Sequence, residues 1–268
     1  MNWSSIAQAT SDILSILLIV RLVSLRLHNV YRIFCVFLIY DFSFSLIERM
    51  ESIVRNPRFD YRITWISGTV IGWVLLLCMV YALLQEILAE LPGILRFSRK
   101  LLNITFIAAI ALSLITSRLD EVMARSNGYL AAVVSPIGRA VTIAFDLDRV
   151  ISTVALLVLL VILAFVLWFP VQIPRNLVIF SIGLVVYFAA NTALLLTRGL
   201  WSKQSYFLVS TVIAFVLSAC YAYWTIFITR LGEARSVRIG HGWRAQEQER
   251  LVGQLETLNA SLLRAARR

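Results

Sequence analysis

Three polar residues within one apolar run carry the clearest chemical signal in the chain. Asp41, Ser45 and Glu48 stand at i, i+4 and i+7 in the stretch VYRIFCVFLIYDFSFSLIERM, so a helix through that stretch sets all three on one face. Asp41 follows Arg32 by about nine residues, roughly 13 Å along a helix, which places its carboxylate near the middle of a bilayer-thick span. A carboxylate at that depth is costly and faces a partner inside the bundle. Arg21, one to two turns inside the preceding helix, is the expected partner. Two functions fit such a pair. Asp41 either relays protons or anchors a ligand, or it is structural, paired with Arg21 or protonated and hydrogen-bonded to a neighbouring helix, because structural pairs perturb carboxylates as active sites do.

A second polar group gathers at the far end of the expected spans: Glu48, then Asp146, Asp148 and Arg149, then Asn191 with Thr192. These residues either line an outward-facing cavity or snorkel to the membrane interface. Other membrane chemistries lack their residues. His28 and His241 are the only histidines, too few for a di-iron hydroxylase, a three-histidine zinc site or a bis-histidine haem. No lysine falls in the middle of the last span to hold retinal, and neither HExxH nor GxSxG occurs. Cys35, Cys78 and Cys220 all sit in apolar runs, where cysteine acts as a small hydrophobe, and no CxxC or disulfide framework is present. The expectation is no catalytic residue, no metal and no cofactor.

The elements that must position these groups are long and apolar. Of 268 residues, 60% are hydrophobic and only 15% charged, outside the range of ordinary globular chains. Val150 to Phe169 is free of charge over a length that spans the roughly 30 Å hydrocarbon core as a helix. Helices are then the expected form for every apolar run of similar length. The reading is an all-α, polytopic membrane protein with seven transmembrane helices: about Ser5 to Leu27, Val30 to Ile53, Ile63 to Ala89, Leu95 to Ser117, Gly138 to Phe169, Pro174 to Thr197 and Ser205 to Thr229. Asn56 with Pro57, Pro92 with Gly93, Asn127 with Gly128, the 170–176 turn and Gly199 supply the breaks. Ser135 with Pro136 reads as an N-cap and first helical proline, which would extend the fifth helix to about 50 Å. The connection from Arg118 to Val134 is expected to be irregular or an interfacial half-helix. Helices one to three do not align with five to seven as a repeat.

The net charge of +10 is almost wholly arginine, with Lys100 and Lys203 the only lysines. In a membrane protein this points to loops facing an anionic leaflet, not to nucleic acid. Arg21, Arg26 and Arg32 surround the first connection while the N-terminal segment carries no basic residue, which favours an N-out, C-in topology and a multi-pass location in the inner membrane. Trp65, Trp168, Trp201, Tyr221, Tyr223 and Trp224 are expected at the interfaces as an aromatic belt. Gly68 with Gly72, and Ser210, Ala214, Ser218 and Ala222 in the last span, are stripes along which helices pack closely.

After the transmembrane domain of residues 1–229, residues 230–242 read as a basic flexible linker and 243–268 as a short cytoplasmic amphipathic helix. Leu251, Leu255, Leu258, Leu262 and Ala265 are spaced four, three, four and three, an a/d seam. The seam forms a coiled coil with a second copy or a cytoplasmic signalling partner, lies on the inner leaflet, or packs on the bundle's own loops. Tails of this kind resemble the signalling helices that follow the membrane portions of bacterial sensor kinases, over about twenty-five residues. The stretches LPGILRFSRKLLN, LWFPVQIPRN, SACYAYWTIF and RIGHGWRAQEQERLVGQLETLNASLLRAARR resemble those of uncharacterised bacterial seven-helix integral membrane proteins. That resemblance implies the seven-helix fold and an inner-membrane location, and brings no activity or site residue with it. Two functions are expected from these readings: a sensory or scaffolding protein signalling through its last helix, or a small proton-coupled transporter using Asp41.

Overall fold

The computed structural model describes residues 3–54, 61–126, 136–169, 172–200, 205–234, 236–238 and 245–265. The described chain is almost entirely helical. Its elements are α1 (Trp3–Ser24), a 3-10 turn (Leu27–Asn29), α2 (Arg32–Val54), α3 (Tyr61–Ile87), α4 (Pro92–Ser126), α5 (Pro136–Trp168), β1 (Gln172–Pro174), α6 (Arg175–Leu200), α7 (Ser205–Phe227), α8 (Arg230–Ala234), β2 (Ser236–Arg238) and α9 (Ala245–Ala265).

Four of these helices contain segments long and apolar enough to cross a membrane: Ile6–Ser24, Arg62–Ile87, Ile143–Trp168 and Arg175–Leu196. Their outward faces match that role. Ile13, Val20, Val70, Val74, Leu157, Val161 and Val186 are all exposed, and large apolar side chains exposed in this number call for a lipid or protein cover. α2 departs from the pattern because Asp41, Glu48 and Arg49 interrupt it.

Six helices close into a ring. α1 packs on α7 and α2, α2 on α3, α3 on α5, α5 on α6, and α6 on α7. α4 lies outside this ring, mainly against α5, and also carries α9. The most extensive helix pairing is between α1 and α7, and small residues are buried on both: α1 buries Ala7, Ser11 and Ser15 ahead of Leu18 and Leu22, and α7 buries Ser218. This spacing of four, four, three and four is the single buried stripe of an α-helix. Ser210, expected in the α7 stripe, lies outside the residues whose side chains are described.

Proline at the first position of α5 is found where Ser135–Pro136 suggested it, and α5 runs 33 residues, about 50 Å at 1.5 Å per residue. α4 is the larger surprise. It continues to Ser126, past the Ser117 boundary, so the first half of the expected loop is helix; the Asn127–Gly128 turn lies outside the described residues, as do Asn56, Pro57 and Trp201. α6 likewise runs through Gly199.

The core at the exit end, where α1 finishes and α2 begins, is aromatic. Trp224 (1% exposed) packs edge-on against Phe34 with ring centroids 5.1 Å apart, and Phe34 meets Phe180 at 4.5 Å. Tyr221 is fully buried beside Trp224. Both residues were expected in an interfacial belt. The last two turns of α7 instead turn them into the ring, where each buries far more apolar surface than at an interface.

Candidate functional site

Two sets of polar groups are organised by this ring. The first lies in its interior. α2 presents Asp41, Ser45 and Arg49 at four-residue intervals on one face. The Asp41 Oδ2 accepts a hydrogen bond from the Tyr221 hydroxyl at 2.7 Å, across the ring from α7. One turn on, Ser45 Oγ donates to Oδ1 of Asp12 at 2.8 Å, and the Arg49 guanidinium pairs with the other oxygen of the same carboxylate. Asp12 is thus a buried α1 carboxylate, and it lies within electrostatic reach of Asp41. Tyr187 of α6 lies within reach of both Asp41 and Asp148. Asp148 of α5 accepts from the Trp73 indole nitrogen at 2.8 Å, and Asn191 Nδ2 donates to Ser152 Oγ at 2.8 Å. Five of the six ring helices contribute a side chain to the chain of groups from Asp12 to Asp148. A carboxylate held by a phenol inside such a ring can take up or release a proton, or meet a small polar ligand, without rebuilding the fold.

Sequence reasoning located Asp41 and Ser45 but assigned Asp41 the wrong partner. Arg21 is at the exit end, where Nε and Nη2 donate to the Ile228 carbonyl at 3.3 and 3.2 Å and Nη2 to that of Ile226 at 3.5 Å. The last carbonyls of a helix have no partner within it, and a cation there completes them and suits the dipole. Asp12 and Arg49 were missed, although a lone carboxylate in an apolar first span is itself a signal. Asp148, one of the expected snorkelling residues, is held inward by Trp73. Glu48 is half-buried on α2 beyond Ser45. Asn191 is buried, with Ser152 as its partner. Among the described residues no group of three or more His, Cys, Asp or Glu side chains could hold a metal ion.

The second set is a clasp at the exit from α7. Asn176, completely buried at the start of α6, donates from Nδ2 to the Thr229 carbonyl at 2.7 Å and accepts at Oδ1 from the Thr229 amide at 3.2 Å. The same Nδ2 reaches Glu233 Oε2 at 3.2 Å, and the Tyr31 hydroxyl donates to that oxygen at 2.8 Å. β1 and β2 then pair antiparallel, Ile173 opposite Val237. The first part of the expected flexible linker is therefore built into the bundle, its Glu233 tied to the α2 entrance through Tyr31 and to α6 through Asn176, while Arg21 ties the residues just before it, Ile226 and Ile228, to α1. Residues 239–242 lie outside the described residues.

α9 docks on α4. Asn259 Oδ1 accepts from the Gly93 and Ile94 amides at 2.6 and 3.3 Å, capping the first turn of α4 from another helix. Leu255 and Leu262 pack against the hydrophobic core and Leu251 is half-buried, while Leu258 is 53% exposed. Within the chain Leu251, Leu255 and Leu262 are thus at least half covered, on helix α4 and the core and not on the bundle's loops, while Leu258 and Ala265 stay exposed. Replacing Asn259 with alanine should cost about 1 kcal/mol. Hydrogen exchange across α9 is expected to quicken about fivefold, with Leu258→Ala leaving it unchanged.

Compared with known proteins, the chain matches no family model, no curated protein and no solved structure.

Proposed function

We propose that the chain is a seven-span inner-membrane sensory or scaffolding protein, N-terminus out and C-terminus in, that reports the state of its polar interior through the segment leaving α7. The observation that carries this reading is the clasp. Arg21, Asn176 and Tyr31 bond the segment 228–233 to three separate elements, so a shift of α7 against α1 or α6 cannot leave that segment in place. The interior supplies the input: Tyr221, which holds Asp41, lies on α7 two turns before the clasp. The tail supplies the output, with α9 resting on α4 through one cap and a few leucines and offering Leu258 to a second copy or a cytoplasmic partner. The resemblances to uncharacterised bacterial seven-helix membrane proteins and to sensor-kinase signalling helices favour the same assignment.

The test has two parts in native membranes. Cysteine at position 258 should cross-link to a second copy or to another protein, and affinity purification of the full chain should recover a partner absent from a version ending at Gly242. No cross-link and no tail-dependent partner would remove the sensory reading.

The Asp41–Tyr221 hydrogen bond favours a second reading, a proton-coupled transporter in which Asp41 carries the proton. Asp41→Asn should then abolish proton flux into proteoliposomes loaded with a pH-sensitive dye while the protein remains folded. Flux equal to wild type would exclude it.

A further inference from the structure

We infer that the cavity at the exit end, between the start of α2, the end of α3, the start of α6 and α8, binds an organic ammonium group carried on a small apolar body. The cavity has a volume of about 260 Å3, near the lower bound for small-molecule sites. Its walls are apolar and aromatic: Phe34 and Phe180 meet edge to face, Tyr31 tilts against Phe180 with centroids 5.9 Å apart, and Met79 and Leu83 face them. Charge collects at its rim. Glu86 and Glu233 both line it, against the single guanidinium of Arg32, which donates from Nε to the Asn29 carbonyl. Among the described residues Glu86 has no hydrogen bond or ion pair, and both bonds to Glu233 fall on Oε2, leaving its Oε1 free to accept. Both carboxylates also lie within electrostatic reach of the Tyr31 phenol, which marks the rim as negative where it meets the aromatic wall.

Aromatic faces beside carboxylates that no cation neutralises recognise a cation that is weakly hydrated and has an apolar body, through cation–π attraction and charge-assisted hydrogen bonds together. A bare metal ion would find too few oxygens here, and an anion would be repelled by two carboxylates. An ammonium reaching this depth comes from either of two sources: a soluble amine, or the headgroup of an aminophospholipid whose chains lie along the bundle. Because Glu233 belongs to the clasp on the α7 exit, an occupant would bear directly on that segment. The binding itself is read without reference to any output, so it stands or falls apart from the sensory assignment.

Phenylbutylamine is the probe, with phenylbutanol as its uncharged near-isostere, titrated by calorimetry against the full chain in nanodiscs. The amine should bind saturably and at least about tenfold more tightly than the alcohol. Glu86→Gln, an exposed rim substitution that leaves the packing alone, should weaken the amine about tenfold and the alcohol not at all. Ala82→Phe, which fills the cavity, should remove both. Nanodiscs of equal anionic-lipid content, balanced with either phosphatidylethanolamine or an uncharged glycolipid, separate the sources. Weaker amine binding in phosphatidylethanolamine means the headgroup competes for the site, and equal binding means the ligand is soluble. Equal affinity for amine and alcohol, an unaltered Glu86→Gln titration, or no saturable binding would each overturn the proposal.

Discussion

Asn176→Ala is expected to release the α7 exit, raising the exchange rate of the Thr229 and Gly232 amides by about two orders of magnitude. The side chain is completely buried and satisfies both backbone groups of Thr229 as well as one oxygen of Glu233. Alanine fills none of those roles. A buried donor or acceptor left without a partner costs about 1–3 kcal/mol; the Thr229 amide is stranded while its carbonyl keeps the Gly232 amide, and with the bond to Glu233 also lost the expected loss is about 2–3 kcal/mol. Asn176→Asp keeps the acceptor for the Thr229 amide but places a carboxylate against Glu233, so it should be no better than alanine. Exchange in the middle of α5, far from the clasp, should not change in either variant.

Gly183→Val should be the most damaging single substitution in the ring. A Cβ at position 183 would come within 2.3–2.8 Å of three atoms of the Trp224 indole. The indole cannot swing clear, because Phe34, Phe180 and Tyr221 pack around it. Overpacking in a closed core costs about 1–3 kcal/mol and occasionally more. Gly183→Ala is accordingly expected at about 2 kcal/mol and Gly183→Val beyond it, read as lowered thermal midpoints of the purified protein or as loss of folded material. Gly253→Ala provides the contrast. Nothing lies within 4 Å of a Cβ there, so alanine should instead stabilise α9 by about 0.5–1 kcal/mol through helix propensity alone.

Hydropathy and breakers alone reveal the helical architecture, down to the proline that opens α5, because those features act within one element. The pairing of Asp41 is of another kind. Its depth in α2 is readable from spacing, yet its partner Tyr221 is 180 residues away on a helix that becomes a neighbour only when the ring closes. Arg21 shows the complementary difficulty. Its charge suggests an ion pair, but its actual partners are backbone carbonyls of Ile226 and Ile228, and every residue has a carbonyl. Asn176 looked like part of a short turn for the same reason: its value lies in a backbone segment brought to it from position 229. The leucines of α9 describe an apolar stripe without saying what covers it, and only Asn259 capping α4 decides which surface is used. α4 outran its expected end because its arginines and aspartate after Ser117 break the apolar pattern without breaking the helix.

The measurement that bears most directly on the coupling of interior to tail is hydrogen exchange of Tyr221→Phe against wild type in nanodiscs. The substitution removes one hydroxyl and the bond to Asp41, and leaves the ring's packing intact. If the interior is read out through the clasp, exchange should change about fivefold or more at residues 229–233 and along 251–263, at the scale of an allosteric coupling. Changes confined to α2 and α7 around Asp41, with the exit and the tail identical to wild type, would contradict it.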